Sequence, residues 1–303
     1  MSIAEVSEVR LPAFGQICRR VVDNTGRQAN DLHTICRGEL QRLEKKFSFF
    51  QPDSLISRIN DCAGTGSFVP LDAEAGSLFD FVSALWEKSN HLFDPTTRVL
   101  QNCYASNGRL RASADQLQRM VKLVGMGGLE RTEEGVHLPL KGMQIDLDSC
   151  IRPYAIDSLR KILLREGVPH ALVEMRQDFA TIGKRPGGDN WLVGVRLPRQ
   201  SSVSISRLKL NDMSFSVRGD FEQAILIEDE RYGRALSPVD GQPVPGLLSI
   251  GVTAESCLAA CSAASIARLK TEAAAVKWLD SLGLPWIAVD RDLQCHGPLA
   301  PRQ

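Results

Sequence analysis

Apolar positions along the chain recur at helical spacing through most of the first half, and again near the end, with alternating segments between them. From residue 27 to 47, Leu32, Cys36, Leu40, Leu43 and Phe47 fall on one stripe with charged residues opposite, which predicts an amphipathic helix. Residues 72–89 repeat the pattern, with Asp72 in a capping position before Ala75, Leu78, Phe79, Val82, Leu85 and Trp86. A further helix is predicted from the capping box Ser113 to Gln116 and carries Leu117, Met120, Val121 and Val124 up to Gly125. Another is expected from about Tyr154 to Arg165, stopping at Gly167.

Alternation takes over in the second half. The runs 136–140 and 143–147 flank Lys141-Gly142 and predict a hairpin. The runs 171–175, 191–197, 203–210, 213–217 and 224–228 read as further strands, separated by turn-rich pieces such as Arg185 to Asn190. Helices over 255–269 and 272–282 and a last strand, 285–289, close the pattern. Helices and strands come in blocks, which predicts an α+β fold with mixed or antiparallel sheets and packed helices.

Composition narrows the function classes. Hydrophobic residues make up 43% of the 303 and charged ones 24%, as in ordinary globular proteins. Lys+Arg and Asp+Glu both number 36, so no net charge draws the chain to nucleic acid or an anionic membrane. The first residues carry Glu5, Glu8 and Arg10 and no apolar run, and no later stretch reaches the roughly 18 apolar residues of a membrane helix. A cytoplasmic protein without membrane insertion is expected. Cys18, Cys36, Cys62, Cys103, Cys150, Cys257, Cys261 and Cys295 form no C-x-x-C pair, so reduced, mostly buried thiols are expected instead of a disulfide framework.

Common catalytic motifs are missing. His33, His91, His137, His170 and His296 are never four apart. There is no P-loop, no dinucleotide-binding glycine fingerprint after a strand, and no G-x-S-x-G elbow. Residue chemistry alone therefore specifies a globular α+β protein without an assigned reaction.

One longer run is more specific. Glu44 to Asn60 reads EKKFSFFQPDSLISRIN, a helix end, a turn and a short helix opened by Pro52, Asp53 and Ser54. It resembles the E-x-x-F-S-x-Y-x-P-D-S-E-I-S-R-L-N stretch of the FAD:protein FMN transferase (ApbE-type) family. Further resemblances follow in that family's order: Phe93 to Thr96, Asp146-Leu147 with Tyr154-Ala155 and Asp157, Trp191 with Gly194 and Pro198, Gly219-Asp220-Phe221, and Ser249 to Ser265. The resemblance implies a single ApbE-like domain over residues 11–290, in two intimately joined lobes of about 11–140 and 141–290, with 1–10 and 291–303 as tails.

It also implies a reaction. Such proteins hold FAD between their halves and, with magnesium, transfer its FMN part to a Thr or Ser hydroxyl of a target flavoprotein. Carried over position by position, the resemblance makes Phe14, Phe50, Phe93, Asp146 and Arg152 candidates for FAD contact. Phe50 keeps a stacking face where the family has Tyr. The magnesium positions fall on Ser149, Cys261 and Ser265. Here the chain departs from the family: Cys261 replaces an Asp, and a neutral thiol is a poor ligand for a cation that demands oxygen. Arg176-Gln177 replaces Gly-Gly, Pro153 replaces a Gly, and Arg234 to Gly241 lacks the family's His and Asp. These changes weigh against activity. The expectation is a FAD:protein FMN transferase-like protein with its fold retained and its cation site lost. The alternative is a catalytically silent FAD- or nucleotide-binding relative, or an interaction protein. Asp146 also suits a loop-capping role, and Cys261 that of a small buried apolar residue. A softer metal on Cys150, Cys257 and Cys261 is a further option.

Overall fold

The computed structural model describes residues 6–23, 27–105, 107–198, 200–219, 225–227 and 230–301. Asp220, Phe221, Ala224 and Glu228, named above, lie outside them, as do the ends of both expected tails. The helices are α1 (Arg27–Phe47), α2 (Leu55–Asp61), α3 (Ala73–Lys88), α4 (Ala114–Val121), α5 (Asp148–Arg165), α6 (Cys257–Arg268) and α7 (Glu272–Ser281). In the first half lie the strands β1 (Val6–Ala13), β2 (Gln16–Asp23), β3 (Glu130–Thr132) and β4 (Gly135–His137). The second half adds β5 (Ala171–Met175), β6 (Asp178–Ile182), β7 (Trp191–Leu197), β8 (Gln200–Leu210), β9 (Ser214–Gly219), β10 (Ile225–Ile227) and β11 (Glu230–Tyr232). It ends with β12 (Ser249–Ala254), β13 (Trp286–Val289) and β14 (Cys295–His296).

An eight-stranded sheet in the order β1-β2-β5-β6-β9-β12-β13-β14 forms the frame, so strands from both ends of the chain share one layer. Its strand pairs are all antiparallel. The sheet extends past residues 11–290 at both ends, through Val6–Arg10 in β1 and through β14. Helices α1, α5 and α6 pack on one face. The β7–β8 hairpin covers the other, burying Trp191, Val193 and Val195 against Leu172, Phe179, Phe215 and Val217. The predicted stripe of α1 is the buried one, with Leu40 and Leu43 at 0% exposure. The capping box of α4 and the Asp72 cap of α3 both form.

Two expectations are corrected, and four strands were not foreseen. Residues 136–147 do not fold back as a hairpin: β4 pairs with β3, and 143–147 carries no ladder. Pro139 has no amide hydrogen to offer a ladder. Val136 instead exchanges backbone hydrogen bonds with Val69, and the Asn60 carboxamide takes both polar groups of Ile145. Helix α5 begins at Asp148, six residues before its predicted start, with Pro153 inside it. Strands β1, β2, β6 and β12 had no clear alternation to reveal them. In β2 the inward face carries Arg20, at 0% exposure, between Cys18 and Val22, which masks the apolar period.

The β3–β4 turn depends on Gly135, where φ is +135° and an added Cβ would sit 2.1 Å from the Val69 carbonyl oxygen. Gly135→Ala is expected to cost about 2 kcal/mol, from strain and loss of the Val69–Val136 pairing. A lower urea midpoint at unchanged slope would register it.

Candidate functional site

The site is assembled around residues 146–153, and the family-like runs position them. Asp94 accepts from the Thr96 amide and hydroxyl and, through its other oxygen, from Met126 N. This fixes a turn whose Pro95 carbonyl receives Asp146 N. Asn60, the last residue of the Glu44–Asn60 run, clamps Ile145 from the other side. Both runs thus hold the chain leading into α5, and Phe93 itself is core, 6% exposed. Phe14 is also buried in the core, with φ at 52° and its N–H donating to Glu44 Oε1 at 2.8 Å.

Asp146 and the edge-to-face pair Phe49–Phe50 flank the Arg98 side chain, and the space it fills is the aromatic slot of this site. Asp146 Oδ1 accepts from Asp148 N at 2.9 Å, and its Oδ2 is 3.7 Å from Arg98 Nε. Burial raises its carboxyl pKa, with the Asp148 charge adding to the rise and Arg98 and Arg152 opposing it. The Arg98 guanidinium lies 4.4 Å from the centroid of Phe49 and 5.5 Å from that of Phe50. Phe50 is 73% exposed, so its ring face is open to solvent. Arg152 joins the same surface by a 2.7 Å ion pair with Asp148.

Ser149, Cys261 and Ser265 lie together, Ser149 through its backbone carbonyl and not its hydroxyl. The Cys261 thiol donates to the Ser149 carbonyl oxygen at 3.1 Å and lies 3.7 Å from Ser265 Oγ. The acceptor is free because of Pro153: a residue with N–H there would close the helical bond to Ser149 four positions back. Burial raises the Cys261 pKa, against the lowering effect of Arg218, so the thiol stays protonated at neutral pH.

Two residues not among the sequence-derived candidates complete the cluster. Arg218, in β9, donates through Nη2 to Cys261 Sγ at 2.6 Å. It also forms a fork with Asp178 of β6, Nη1 to Oδ1 at 2.8 Å and Nη2 to Oδ2 at 3.0 Å. Asp178 is 3% exposed and accepts from Ser216 Oγ as well. Only the position of Arg218, one residue before the Gly219-Asp220-Phe221 match, hinted at it. Ahead of Asp178, Arg176 takes a left-handed backbone, φ 57°, at the β5–β6 turn. A glycine would adopt that conformation without strain.

These donors do not fit magnesium. One carbonyl, one hydroxyl and a protonated thiol surround a point already faced by a guanidinium, and among the described residues the carboxylate there, Asp178, is paired with that guanidinium. The three thiols do not form a soft-metal site either. Among the described residues, the group of His, Cys, Asp and Glu close enough to share an ion is Glu272, Asp290 and His296, far along the chain. A groove of about 530 Å³ lies elsewhere, beneath β7–β8 beside Arg19 and Glu174, and none of the candidate residues lines it.

Comparison with known proteins agrees with the fold. The profile of the ApbE family matches residues 14–287. The FAD:protein FMN transferase of Salmonella typhimurium is 20% identical over 250 residues, spanning 79% of this chain and 71% of the relative. That of Treponema pallidum is 25% identical over 267 residues, spanning 80% and 72%. The crystal structure of the ApbE protein of Thermotoga maritima superposes with a TM-score of 0.85 at 25% identity, covering 97% of each chain. The apo flavinyl transferase ApbE of Pseudomonas stutzeri gives 0.84 at 23% identity, over 97% of this chain and 94% of that one.

Proposed function

The chain belongs to the ApbE family, and from that premise we propose that it is a FAD:protein FMN transferase-like protein that binds FAD without carrying out the magnesium-dependent transfer of FMN. The observation behind this reading is a contrast within one site. The slot formed by Phe49, Phe50 and Asp146 retains an aromatic face beside a carboxylate, and it already accommodates a flat hydrogen-bonding group, the Arg98 guanidinium. Such a slot suits a planar ring that stacks and hydrogen-bonds at its edge. Three residues along the chain, the cation locus has lost its acidic ligand. Magnesium supplies charge neutralisation at the pyrophosphate during phosphoryl transfer. With Asp178 committed to Arg218 and no acidic side chain at position 261 to hold the ion, the residues here orient a ligand without supplying that neutralisation.

Phe50 and Asp146 are assigned to the ring of FAD, and Arg152 to a phosphate or adenine edge. Phe14 and Phe93, buried in the core, act through packing. Arg98 in the slot favours a second reading, an interaction protein without a nucleotide ligand, because a ring has to displace that side chain to stack.

Incubation of the full chain with FAD, Mg²⁺ and a Thr-containing acceptor, beside an active relative, separates these readings. The expected result is no fluorescent acceptor band together with a rise in melting temperature on adding FAD. A labelled band overturns the silent assignment. Absence of any thermal or spectral response to FAD removes the ligand and leaves the interaction protein.

A further inference from the structure

We propose that the Arg218 guanidinium, paired with Asp178, is a built-in replacement for the divalent cation, linking α5 and α6, where the magnesium positions fall, to β6 and β9. This deepens the cation half of the reading above, and it holds or fails independently of FAD binding.

The guanidinium is surrounded as a bound cation would be. Nη1 donates to Asp178 Oδ1 and to the Val217 carbonyl, both at 2.8 Å, while Nη2 donates to Asp178 Oδ2 at 3.0 Å and to Cys261 Sγ at 2.6 Å. Cys261 passes the connection on to the Ser149 carbonyl and reaches toward Ser265 Oγ. One positive charge thereby ties β6, β9, α6 and the first turn of α5. The planar fork matches a carboxylate at two points, which fixes its direction as well as its distance.

Three features of this chain act together in the arrangement. Cys261 supplies a neutral acceptor where a carboxylate would add a negative charge. Pro153 frees the Ser149 carbonyl for the thiol. Asp178 is committed to the guanidinium and to Ser216, so its charge is not available to an added ion. The charge within the cluster is balanced without any ligand. A hard cation entering there would have to displace a guanidinium from a 3%-exposed carboxylate.

A purely structural ion pair and a cation surrogate differ in one respect. Removal of the arginine from a surrogate leaves a cation-sized vacancy faced by the Asp178 carboxylate and the Val217 carbonyl, oxygen donors of the type Mg²⁺ and Mn²⁺ prefer, with the Ser149 carbonyl and the Ser265 hydroxyl beyond the Cys261 thiol. The experiment therefore compares the full chain with Arg218→Ala and with the double variant Arg218→Ser/Cys261→Asp, each melted in EDTA, in MgCl₂ and in MnCl₂. The wild type is expected to melt at the same temperature in all three. Arg218→Ala is expected to melt several degrees lower in EDTA and to recover part of the loss with Mg²⁺ or Mn²⁺. The double variant should recover more and should bind Mn²⁺ measurably by loss of the free-ion paramagnetic resonance signal. Addition of His296→Ala to every chain removes binding at the Asp290–His296 cluster from the comparison. Lower stability of Arg218→Ala with no rescue by either ion, in both variants, overturns the proposal and leaves an ordinary ion pair. So does a wild type stabilised by Mg²⁺ in a manner abolished by Cys261→Ala. If the double variant does not fold, the single variant with and without cation still decides.

Discussion

Asp157→Ala is expected to lower stability by about 3 kcal/mol, read as a reduced urea midpoint at unchanged slope. The carboxylate, 9% exposed in the middle of α5, accepts from Cys257 N at 2.7 Å and from Leu258 N at 2.9 Å. Those are two of the donors that the first turn of any helix leaves without partners, and Ser256 satisfies a third by accepting from Ala259 N. Loss of the carboxylate strands one buried and one part-buried N–H group, the buried one worth roughly 1–3 kcal/mol. Asp157→Asn keeps one accepting oxygen and is expected to lose about half as much. The two variants also separate in their response to pH. Burial raises the Asp157 pKa more than its two N–H donors lower it. A raised folded-state value means that its contribution is fully present below the unfolded carboxyl value, near 4, and declines as pH rises through the folded one. Asn has no such component. The stability difference between wild type and Asp157→Asn should therefore narrow as pH rises through that window; a widening difference would contradict the assignment.

Asp178→Ala is expected to cost about 3 kcal/mol or more, because it leaves the Arg218 guanidinium without its counter-charge and the Ser216 hydroxyl without its acceptor. Breaking a buried pair from one side typically costs 3–5 kcal/mol, and the lower end applies because the Arg218 side chain keeps 23% of its surface exposed. The informative comparison is the double variant Asp178→Ala/Arg218→Met. Removing both charges takes away the uncompensated one, so the double variant should be more stable than Asp178→Ala alone. Denaturation curves for the four corners of this cycle give the coupling directly. Additive losses would show that the fork contributes little and that Asp178 acts mainly through Ser216.

Sequence and tertiary structure contributed different parts of this picture. The helices α1, α3 and α4 were legible because a stripe of apolar residues or a capping box is a local pattern, and burying that stripe is the main stabilisation such a helix has. The run from Glu44 to Asn60 was legible as a string, although the role of its last residue, clamping Ile145 85 positions away, was not. Strands β6 and β12 were missed for a physical reason: both are buried on every residue, and a short run without alternation has no period to detect.

The candidate site divides along the same line. That Ser149, Cys261 and Ser265 belong to one place could be expected from the family resemblance, and the thiol-to-carbonyl bond joins residues 112 apart. Arg218 could not be foreseen as the centre of that place, since its partners Asp178 and Cys261 lie 40 and 43 positions away on other elements. Nor could the two effects of Pro153 and Arg98, one freeing a carbonyl and the other filling an aromatic slot. The sequence alone determined the striped and capped helices and, through the family resemblance, that an acidic ligand is missing, because periodicity, caps and residue identity are properties of neighbouring positions. Only the tertiary structure decided what stands in its place, because a charge pair is defined by distance across the sheet and leaves no repeating trace along the chain.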